Sequence, residues 1–350
     1  MEKSRIQYLD YIKAFAIFCV VWGHSIQHIS RNDYFANPVF EFIYSFHMPL
    51  FVIISGYFFR SSLKLTFGKL LVKKFSQLIL PIITWTFLIC LFDVYLRIHV
   101  GHRTVTVGWL TRIYAYEYGN LFWFLKCLFY CYLIAWVALK MLKNEWLAGV
   151  LAILVFSFIV PASSSVLRFL LPYFWVGVLL QKYLYLIERH NLKILSVTFM
   201  MFVVMLFFWK GQYTIYKTGM NNLIDFTNFS FHFDNWQITL FRFLIGLAGS
   251  IFFITLIKNL GKLNLTGFNL LSIIGQYTME IYVLQRFILE RITYPWNVAP
   301  MNSWIYTWLF TPFITLIVIA GCYLLAKMIE RNKVLNLCLL GKTYKIKNKV

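Results

Sequence analysis

Long apolar stretches alternate with shorter polar segments along most of this chain. Several stretches reach the roughly 20 residues that an α-helix needs to cross the hydrocarbon core of a bilayer. No run of short alternating segments of the kind that builds a membrane β-barrel occurs. Hydropathy predicts ten spans, at residues 8–28, 38–59, 78–98, 120–140, 145–163, 167–187, 194–210, 238–257, 268–289 and 303–326. The pattern predicts an all-α polytopic membrane bundle, with one domain over residues 1–350 and a basic tail at 327–350.

Two of the segments between spans are long and polar. Residues 211–237 are rich in Asn, Thr and Tyr, and residues 99–119 are similarly polar and aromatic. We interpret both as candidate binding loops, in which Trp109 and Tyr213 can stack on sugar rings. The aromatic belts found at membrane interfaces explain such residues equally well.

Composition agrees with a membrane protein. The chain has 350 residues, of which 60% are hydrophobic and 13% charged, and its mean hydropathy of +0.69 is well above that of soluble domains. The net charge of +20 follows topology rather than a patch for nucleic acid, because most of the 33 lysines and arginines fall in alternate loops and the two ends. The positive-inside rule then predicts that both termini are cytoplasmic. The six cysteines form neither a disulfide framework nor a metal-binding pattern.

The first span carries two basic side chains. Lys13 and His24 are eleven positions apart, which is three helical turns plus about 20°, so they lie on one face about 16 Å apart. Exposure to lipid would be costly for either, and such groups usually face the interior of a bundle. A snorkelling lysine and a structurally hydrogen-bonded histidine remain alternative explanations.

The second span contains His47 and Pro49, followed by Ser55 and Gly56. His47 is expected near the middle of the membrane, where it can contact substrate or simply be satisfied inside the bundle. Pro49 removes a backbone donor and tends to kink a helix. Ser55 and Gly56 permit either close contact with another helix or freed backbone groups.

Two acidic residues lie well inside predicted spans. Asp93 is expected about 22 Å and Glu280 about 18 Å from the inner ends of their spans, so both can meet His24 at a similar depth. A carboxylate beside an imidazole orients the ring and raises its basicity, as general-base chemistry requires. Lys126 and Arg286 occupy the outer thirds of their spans, where they either snorkel or line a polar substrate pocket.

The segment after the second span is strongly basic. Lys69, Lys73 and Lys74 are expected at the cytoplasmic surface. Attraction to anionic lipid explains them, and so does a phosphate-rich ligand. The sequence contains no metal-binding, ATP-binding or dinucleotide-binding motif.

Taken together, five segments resemble the membrane acyltransferase-3 family, which includes bacterial O-acetyltransferases of surface polysaccharides and lipid-linked sugars. They occur in the family order: "RIQYLDYIKAFAIFCVVWGHS", "FHMPLFVIISGYFF", "GNLFWFLKCLF", "LPYFWVGVLL" and "IGQYTMEIYVLQ". The first of these resembles the family pattern of a basic residue, ten intervening positions and a histidine. Lys13 and His24 fall on those two positions.

The resemblance implies about ten spans, an essential histidine at His24 and an acyl-coenzyme A donor supplied from the cytosol. We therefore expect a multi-pass enzyme of the bacterial inner membrane that moves an acyl group, expected to be acetyl, from acetyl-CoA to a sugar hydroxyl. Lys13, Lys69, Lys73 and Lys74 are the expected donor ligands, and no metal is expected. His24 is the expected base, oriented by Glu280 or Asp93, and His47, Lys126 and Arg286 are the expected substrate contacts.

Two departures from the family pattern bear on these roles. Many members have Arg-x-x-Arg ahead of the third-span proline, whereas this chain has Lys74 and Gln77 ahead of Pro81. Lysine binds phosphate as a point charge without the fork of arginine. Many members end the Ile-Tyr-Leu segment with histidine, and here that residue is Gln285, to which we assign no catalytic role.

Several alternatives stay open from sequence. An acyl-histidine intermediate is as compatible with the residues as direct transfer. A transporter or flippase for a lipid-linked sugar or small anion would also use intramembrane charges and a broken helix. An inactive membrane scaffold is the third alternative. Acceptor identity and oligomeric state are not predicted.

Overall fold

The computed structural model describes residues 6–29, 34–102, 104–120, 122–158, 165–220, 224–225, 230–231, 236–263, 267–292 and 303–342. Its α-helices are α1 Gln7–Ile29, α2 Pro38–Tyr57, α3 Phe67–Lys74, α4 Leu80–His99, α5 Val107–Asn120, α6 Trp123–Leu142, α7 Glu145–Phe158, α8 Ser165–Arg189, α9 Asn191–Phe208, α10 Trp236–Gly261, α11 Phe268–Gln276, α12 Thr278–Phe287, α13 Ser303–Ile305, α14 Thr311–Ile329 and α15 Lys333–Leu340. Short 3-10 turns cover Tyr34–Ala36, Phe58–Lys64 and Gly211–Tyr213, and π-turns cover Phe75–Ile79, Ile288–Ile292 and Tyr306–Phe310. A two-residue antiparallel pair joins β1 Ile224–Asp225 to β2 Ser230–Phe231.

In the part of the chain that the structure describes, the regular structure is helical apart from that pair, and the fold is that of a multi-pass membrane protein. Within the described residues, eight helical segments are long and apolar enough to cross a membrane. They contain α1, α2, α4, α6, α8, α9, α10 and α14. The predicted fifth span is represented by α7, which has 14 residues, and residues 159–163 of that prediction lie outside the described part of the chain.

The predicted ninth span is not one helix. The chain leaves helical geometry at Tyr277 (φ −105°, ψ 15°), so α11 and α12 are separate elements. Gly275, at the end of α11, packs so closely on α1 that a Cβ there would lie 2.0 Å from the Asp10 carbonyl oxygen. The start of α12 is therefore level with the first turns of α1.

The segment 99–119 was predicted to be a loop, and this was wrong for most of its length. Residues 107–120 form α5, which is mostly exposed. Arg97 lies over the Trp109 ring, 4.4 Å from its centroid, and Lys126 donates to the carbonyl oxygens of Tyr118 (2.5 Å) and Gly119 (2.6 Å) at the end of α5. These contacts satisfy the helix end and hold it on the bundle, because the last carbonyls of a helix lack partners of their own.

The centre of the bundle is formed by α1 and α2. In the most apolar stretch of each, 72% of the residues are buried, against 11% in α9. Pro49 lies inside α2, which continues past it as a helix although proline supplies no backbone donor. The predicted close contact at Gly56 is confirmed, since a Cβ there would lie 2.0 Å from the Phe174 carbonyl oxygen of α8.

Helix α15 closes the side of the bundle formed by α4 and α14. The Asn332 side chain accepts hydrogen bonds from the backbone N–H groups of Val334 (2.9 Å) and Leu335 (3.2 Å), which is a strong start signal for a helix. Gly341 ends the helix in the left-handed conformation (φ +64°), as glycine commonly does. The Trp85 indole of α4 donates to the Leu339 carbonyl oxygen (2.9 Å) and fixes the helix in place.

Candidate functional site

A cavity of about 760 Å³ opens at the end of the bundle where α1 begins. We call this the basic end, because Lys13, Lys74 and Lys342 line the cavity there. From the basic end the cavity runs along α1 as far as Val20 and along α2 as far as Met48. Its volume is within the range of pockets that hold cofactor-sized ligands.

Lys13 and Lys74, two of the four lysines predicted to bind the donor, line the wall of one cavity. The Lys13 ammonium pairs with Asp10 of its own helix at 2.7 Å. The Lys74 ammonium lies over the Tyr132 ring, 3.4 Å from the centroid, a favourable position for a cation. The π-turn Phe75–Ile79 follows Lys74 directly, and such turns occur often at functional sites.

Lys69 and Lys73 lie elsewhere. Both are exposed on α3 and border a separate surface depression of about 460 Å³ with Ser76 and Gln77. Gln77 also lines the main cavity. The basic segment is thus divided, with Lys74 and Gln77 facing the cavity and the other two lysines facing outwards.

His24 lies one helical turn beyond Val20, past the residues that line the cavity. Its Nδ1 is 3.1 Å from Oε1 and 2.9 Å from Nε2 of the Gln285 side-chain amide. Gln285 is fully buried on α12, and its Nε2 also reaches the Tyr282 carbonyl oxygen at 3.3 Å. Tyr282 lines the cavity, so the element that holds the imidazole also forms the cavity wall.

The part of α1 around His24 is tied to the elements that precede and form α14. The Trp22 indole donates to Thr311 Oγ1 (2.9 Å), the Tyr306 hydroxyl donates to the Ile26 carbonyl oxygen (3.0 Å), and Thr315 Oγ1 donates to Ser25 Oγ (3.2 Å). On the opposite side, the Tyr44 ring packs across Gly23, where a Cβ would lie 2.8 Å from Tyr44 Cε2. These contacts fix both the height and the rotation of the helix that carries the histidine.

A charged cluster lies directly beyond His24. Arg286 Nη1 pairs with Glu290 Oε1 at 2.6 Å, and the same oxygen is 3.3 Å from His28 Nε2. The His28 ring is 5.9 Å from the His24 ring, centroid to centroid. Arg286 therefore lies close to the predicted base, but a carboxylate already neutralises it.

Glu280 does not lie beside His24. It pairs with Lys342 and lines the cavity at the basic end. The expected depth of about 18 Å was wrong, because it assumed one straight helix from residue 268, whereas the break at Tyr277 starts α12 at the basic end. The imidazole is held by the neutral amide of Gln285 instead.

Asp93 is also separate from His24. Its carboxylate is 3.3 Å from Arg291 Nε, and Arg291 Nη2 pairs with Glu117 of α5 at 2.5 Å. This network joins α4, α5 and the π-turn Ile288–Ile292. Lys126 is likewise occupied by the end of α5, as described above. The predicted meeting of His24 with Asp93 and Glu280 at one depth is therefore not found.

His47 has different surroundings again. It is 3% exposed, and its Nδ1 is 2.7 Å from the Ile43 carbonyl oxygen one turn earlier in α2. The space beside it, shared with Tyr44 and Arg242, is about 20 Å³, room for about one water molecule. Tyr213, a predicted sugar-stacking residue, packs on Trp209 and Phe241 at centroid distances of 6.1 and 6.0 Å.

Metal-binding groups do not gather in the parts of the chain that the structure describes: no three His, Cys, Asp or Glu side chains there could hold an ion. All six cysteines, which are within those parts, are free thiols. The cavity has three lysines and the two carboxylates of Glu280 and Glu330 at its basic end, and apolar and hydroxyl-bearing walls further in.

Comparison with known proteins assigns the chain to a family. The model of the acyltransferase-3 family, described as an acyltransferase domain, matches residues 6–327. The chain belongs to the acyltransferase-3 family. The match includes Lys13, His24, Lys74 and Gln285.

Two curated relatives are similar to this chain over part of their length. The nodulation protein NolL of Sinorhizobium fredii (strain NBRC 101917 / NGR234) is 30% identical over 178 residues, which are 49% of this chain and 47% of that protein. NolL of Mesorhizobium japonicum (strain LMG 29417 / CECT 9101 / MAFF 303099) is 27% identical over 176 residues, or 49% of this chain and 46% of that protein. The matched part of the chain thus spans about half the length of these relatives. No solved structure matches the chain.

Two residues of the site were missed from the sequence. Gln285 stood at the position where many acyltransferase-3 members carry histidine, and that correspondence was a usable signal for a partner of His24. Lys342 lies in the basic tail beyond the last predicted span, where nothing in the sequence distinguishes it from the neighbouring lysines. Its place in the cavity depends on α15, which hydropathy does not identify.

Proposed function

We propose that this membrane acyltransferase moves an acetyl group from acetyl-CoA, entering at the basic end, to a hydroxyl group of a cell-surface polysaccharide or lipid-linked sugar. The observation that carries the proposal is the single cavity that joins Lys13 and Lys74 to the helical turn before His24. Under this proposal the basic end faces the cytosol of a bacterial cell and the membrane is the inner membrane.

The cavity suits a coenzyme A thioester in charge and in length. Lys13 and Lys74 are the proposed ligands of its phosphates, and the Lys13-to-His24 separation of about 16 Å along the helix is close to the reach of an extended pantetheine arm. The walls between the two ends are largely apolar, with Phe51, Leu125 and Leu128 among the lining residues. An apolar passage is poorly hydrated, which also protects a thioester from hydrolysis.

His24 is the proposed general base. When Nδ1 carries the proton and donates it to Gln285 Oε1, the amide NH₂ can donate to the Tyr282 carbonyl oxygen and Nε2 keeps its lone pair. Within the described residues, no hydrogen bond to Nε2 competes for that lone pair. Gln285 then has the role of the orienting group in hydrolase triads, without a charge of its own.

The proposed reaction needs no proton donor or acceptor other than His24 and the two substrates. His24 Nε2 accepts the proton of the acceptor hydroxyl while the oxygen forms a bond to the thioester carbonyl carbon. The carbon–sulfur bond then breaks, and the departing thiolate takes the proton back from the imidazolium. Attack by Nε2 itself, through an acyl-histidine, uses the same geometry and remains the alternative route.

The acceptor is proposed to approach from the side opposite the cavity. On that side Arg286 belongs to the charged cluster beyond His24, and the Tyr44 and Tyr216 rings lie 5.9 Å apart, centroid to centroid. Tyr216 is 48% exposed and therefore borders open space. Tyrosine rings and hydroxyl groups are suitable contacts for sugar rings.

The experiment is a transfer assay with purified protein in detergent or nanodiscs. Acetyl-CoA labelled in the acetyl group is incubated with the protein and with a glycan-bearing membrane fraction from a strain lacking the gene. Incorporation of the label into glycan, with one acetyl mass added per modified sugar, supports the proposal. Label found only in free acetate, or transport of an intact glycan without labelling, contradicts it.

A further inference from the structure

The mouth of the cavity contains two carboxylates, which is unexpected for a site that takes an anionic ligand. Glu280 and Glu330 both line the cavity. Glu280 is 2% exposed, and its Oε2 has no hydrogen bond within the described structure. An uncompensated carboxylate in this position would repel phosphate groups, because charges only partly exposed to water interact strongly.

Lys342 compensates both carboxylates. Its ammonium pairs with Glu280 and lies 2.8 Å from Glu330 Oε1. The same ammonium lies over the Tyr277 ring, 4.4 Å from the centroid, and the Tyr277 hydroxyl donates to Glu330 Oε2 at 2.9 Å. Lys342 is thus held from several sides, at the meeting point of α12, the end of α14 and the residues after α15.

The position of Lys342 is set by the fold of the segment that carries it. The left-handed Gly341 turns the chain back towards the cavity after α15. Gly341 lies against the π-turn that follows Lys74, and a Cβ there would be 2.5 Å from the Gln77 carbonyl oxygen. Any other residue at 341 would therefore suffer both the wrong backbone region and a clash with Gln77.

We propose that Lys342 is a positioning residue of the donor site, which neutralises Glu280 and Glu330 and so keeps the cavity mouth open to the phosphates of an acyl-coenzyme A. The inference rests on the proposed function. It assigns to the segment Lys333–Lys342, named here the tail strap, a part in donor binding. Lys342 acts through the two carboxylates, while Lys13 and Lys74 remain the groups proposed to touch phosphate.

The test uses the full-length protein in nanodiscs and measures coenzyme A binding directly, by calorimetry, beside the transfer kinetics. Lys342→Met keeps the length of the side chain and removes its charge. We expect it to weaken coenzyme A binding and to raise the donor KM roughly tenfold, with kcat nearly unchanged. Lys342→Arg should retain binding, and Lys193→Met, at an exposed lysine on α9, is the matched control.

The decisive variant is the double substitution Lys342→Met with Glu280→Gln. If Lys342 acts by neutralising the carboxylates, removing one carboxylate restores most of the lost affinity, whereas a lysine that binds phosphate itself cannot be replaced in this way. Gly341→Ala should reproduce the Lys342→Met defect without removing a charge, and Glu280→Gln should relieve that defect too. Thermal melting and size-exclusion profiles establish that each variant is folded.

The outcomes separate the two proposals. Binding by the wild-type protein, loss in Lys342→Met and recovery in the double variant support the inference. Binding by the wild-type protein with no loss in Lys342→Met, or with no recovery in the double variant, overturns the inference and leaves the proposed function standing. Failure of the wild-type protein to bind coenzyme A at all overturns the donor assignment and the inference with it.

Discussion

His24 on α1 and His47 on α2 are two histidines on adjacent central helices, each in an apolar sequence. His47 is 3% exposed, is hydrogen-bonded to the carbonyl oxygen of its own helix and has about 20 Å³ of space beside it. His24 is half-buried, is held by a side chain from another helix and lies one turn beyond a cavity of about 760 Å³. The surroundings of His47 only satisfy the hydrogen bonding of a buried imidazole. The surroundings of His24 hold the imidazole in a position from which it can meet a ligand.

The difference teaches that a buried histidine is better judged by its partner than by its depth. A bond to the carbonyl four residues earlier requires nothing from the rest of the fold. The bond between His24 and Gln285 requires α1 and α12 to be in register, and the ties from Trp22, Ile26 and Ser25 to the α14 side maintain that register. We infer that these contacts between helices serve to position His24.

The largest expected difference is between two variants in which one of these histidines is replaced by alanine. His24→Ala should lower transfer by at least ~10³-fold, within the range that positioned acid–base groups and nucleophiles contribute. His47→Ala should lower it only a few-fold, through looser packing of α2. Transfer rates of both variants, normalised to folded protein, provide the comparison. Equal losses in the two variants would remove the distinction between them.

A smaller loss is expected when the partner of His24 is changed. Gln285→Leu leaves Nδ1 without its hydrogen bond, so the tautomer with a free Nε2 is no longer favoured, and kcat should fall roughly 10²-fold. Gln285→His, the residue that many acyltransferase-3 members carry here, can still bond to Nδ1 and should retain most of the activity. Steady-state kinetics at saturating donor measure the difference. Normal turnover by Gln285→Leu would show that the imidazole needs no orienting group.

A still smaller change is expected at the mouth of the cavity. Lys13→Met removes one proposed phosphate ligand and should raise the donor KM about tenfold while kcat changes little, because the contact is remote from the reacting atoms. Lys69→Met, on the outward face of α3, is the matched variant and should leave the donor KM unchanged. A defect confined to acceptor use in Lys13→Met would refute the assignment.

The smallest effect is on the pH dependence of the tail strap. Burial alone would raise the pKa of Glu330, but hydrogen bonds from Lys342 and Tyr277 outweigh it and lower that pKa. Burial alone would lower the pKa of Lys342, but the carboxylates of Glu280 and Glu330 outweigh it and raise that pKa. Glu330 therefore stabilises the fold above the ordinary glutamate pKa of about 4.3, and Lys342 does so below the ordinary lysine pKa of about 10.4.

Between those limits the contribution of the strap should be constant. In the Glu280→Gln background, which removes the other carboxylate that Lys342 faces, the difference in melting temperature caused by Lys342→Met should not change from about pH 6 to 8, and it should shrink as acid protonates Glu330. Melting curves of both proteins from about pH 4 to 8 cover both parts of this prediction. A difference that already declines from about pH 6 to 8 would mean that another group controls the strap.

Much of this site follows from the sequence, and the exceptions have physical causes. The face shared by Lys13 and His24 follows from helical periodicity alone, and the close approach at Gly56 follows from the absence of a side chain. The position of Glu280 does not follow, because a one-residue break at Tyr277 changes the depth of every later residue of α12. Hydropathy averages over many residues and cannot detect such a break.

Lys342 and Gln285 show a second limit. Each acquires its role from a partner far away in the chain, Glu280 for the first and His24 for the second. Periodicity describes neighbours on one element, so it does not report contacts between elements. The family pattern marked the position of Gln285, but the tail strap lies beyond the segments by which the family resemblance was identified.

The most direct test of the central claim is a cryo-EM structure of the protein in nanodiscs with a non-hydrolysable acetyl-CoA analogue. The account predicts that the phosphates lie beside Lys13 and Lys74 at the basic end. It also predicts that the analogue's acetyl carbonyl carbon lies within about 4 Å of His24 Nε2, the spacing that a bound acceptor oxygen can bridge. Density for the analogue outside this cavity, or an acetyl group on a wall that His24 does not face, would contradict it.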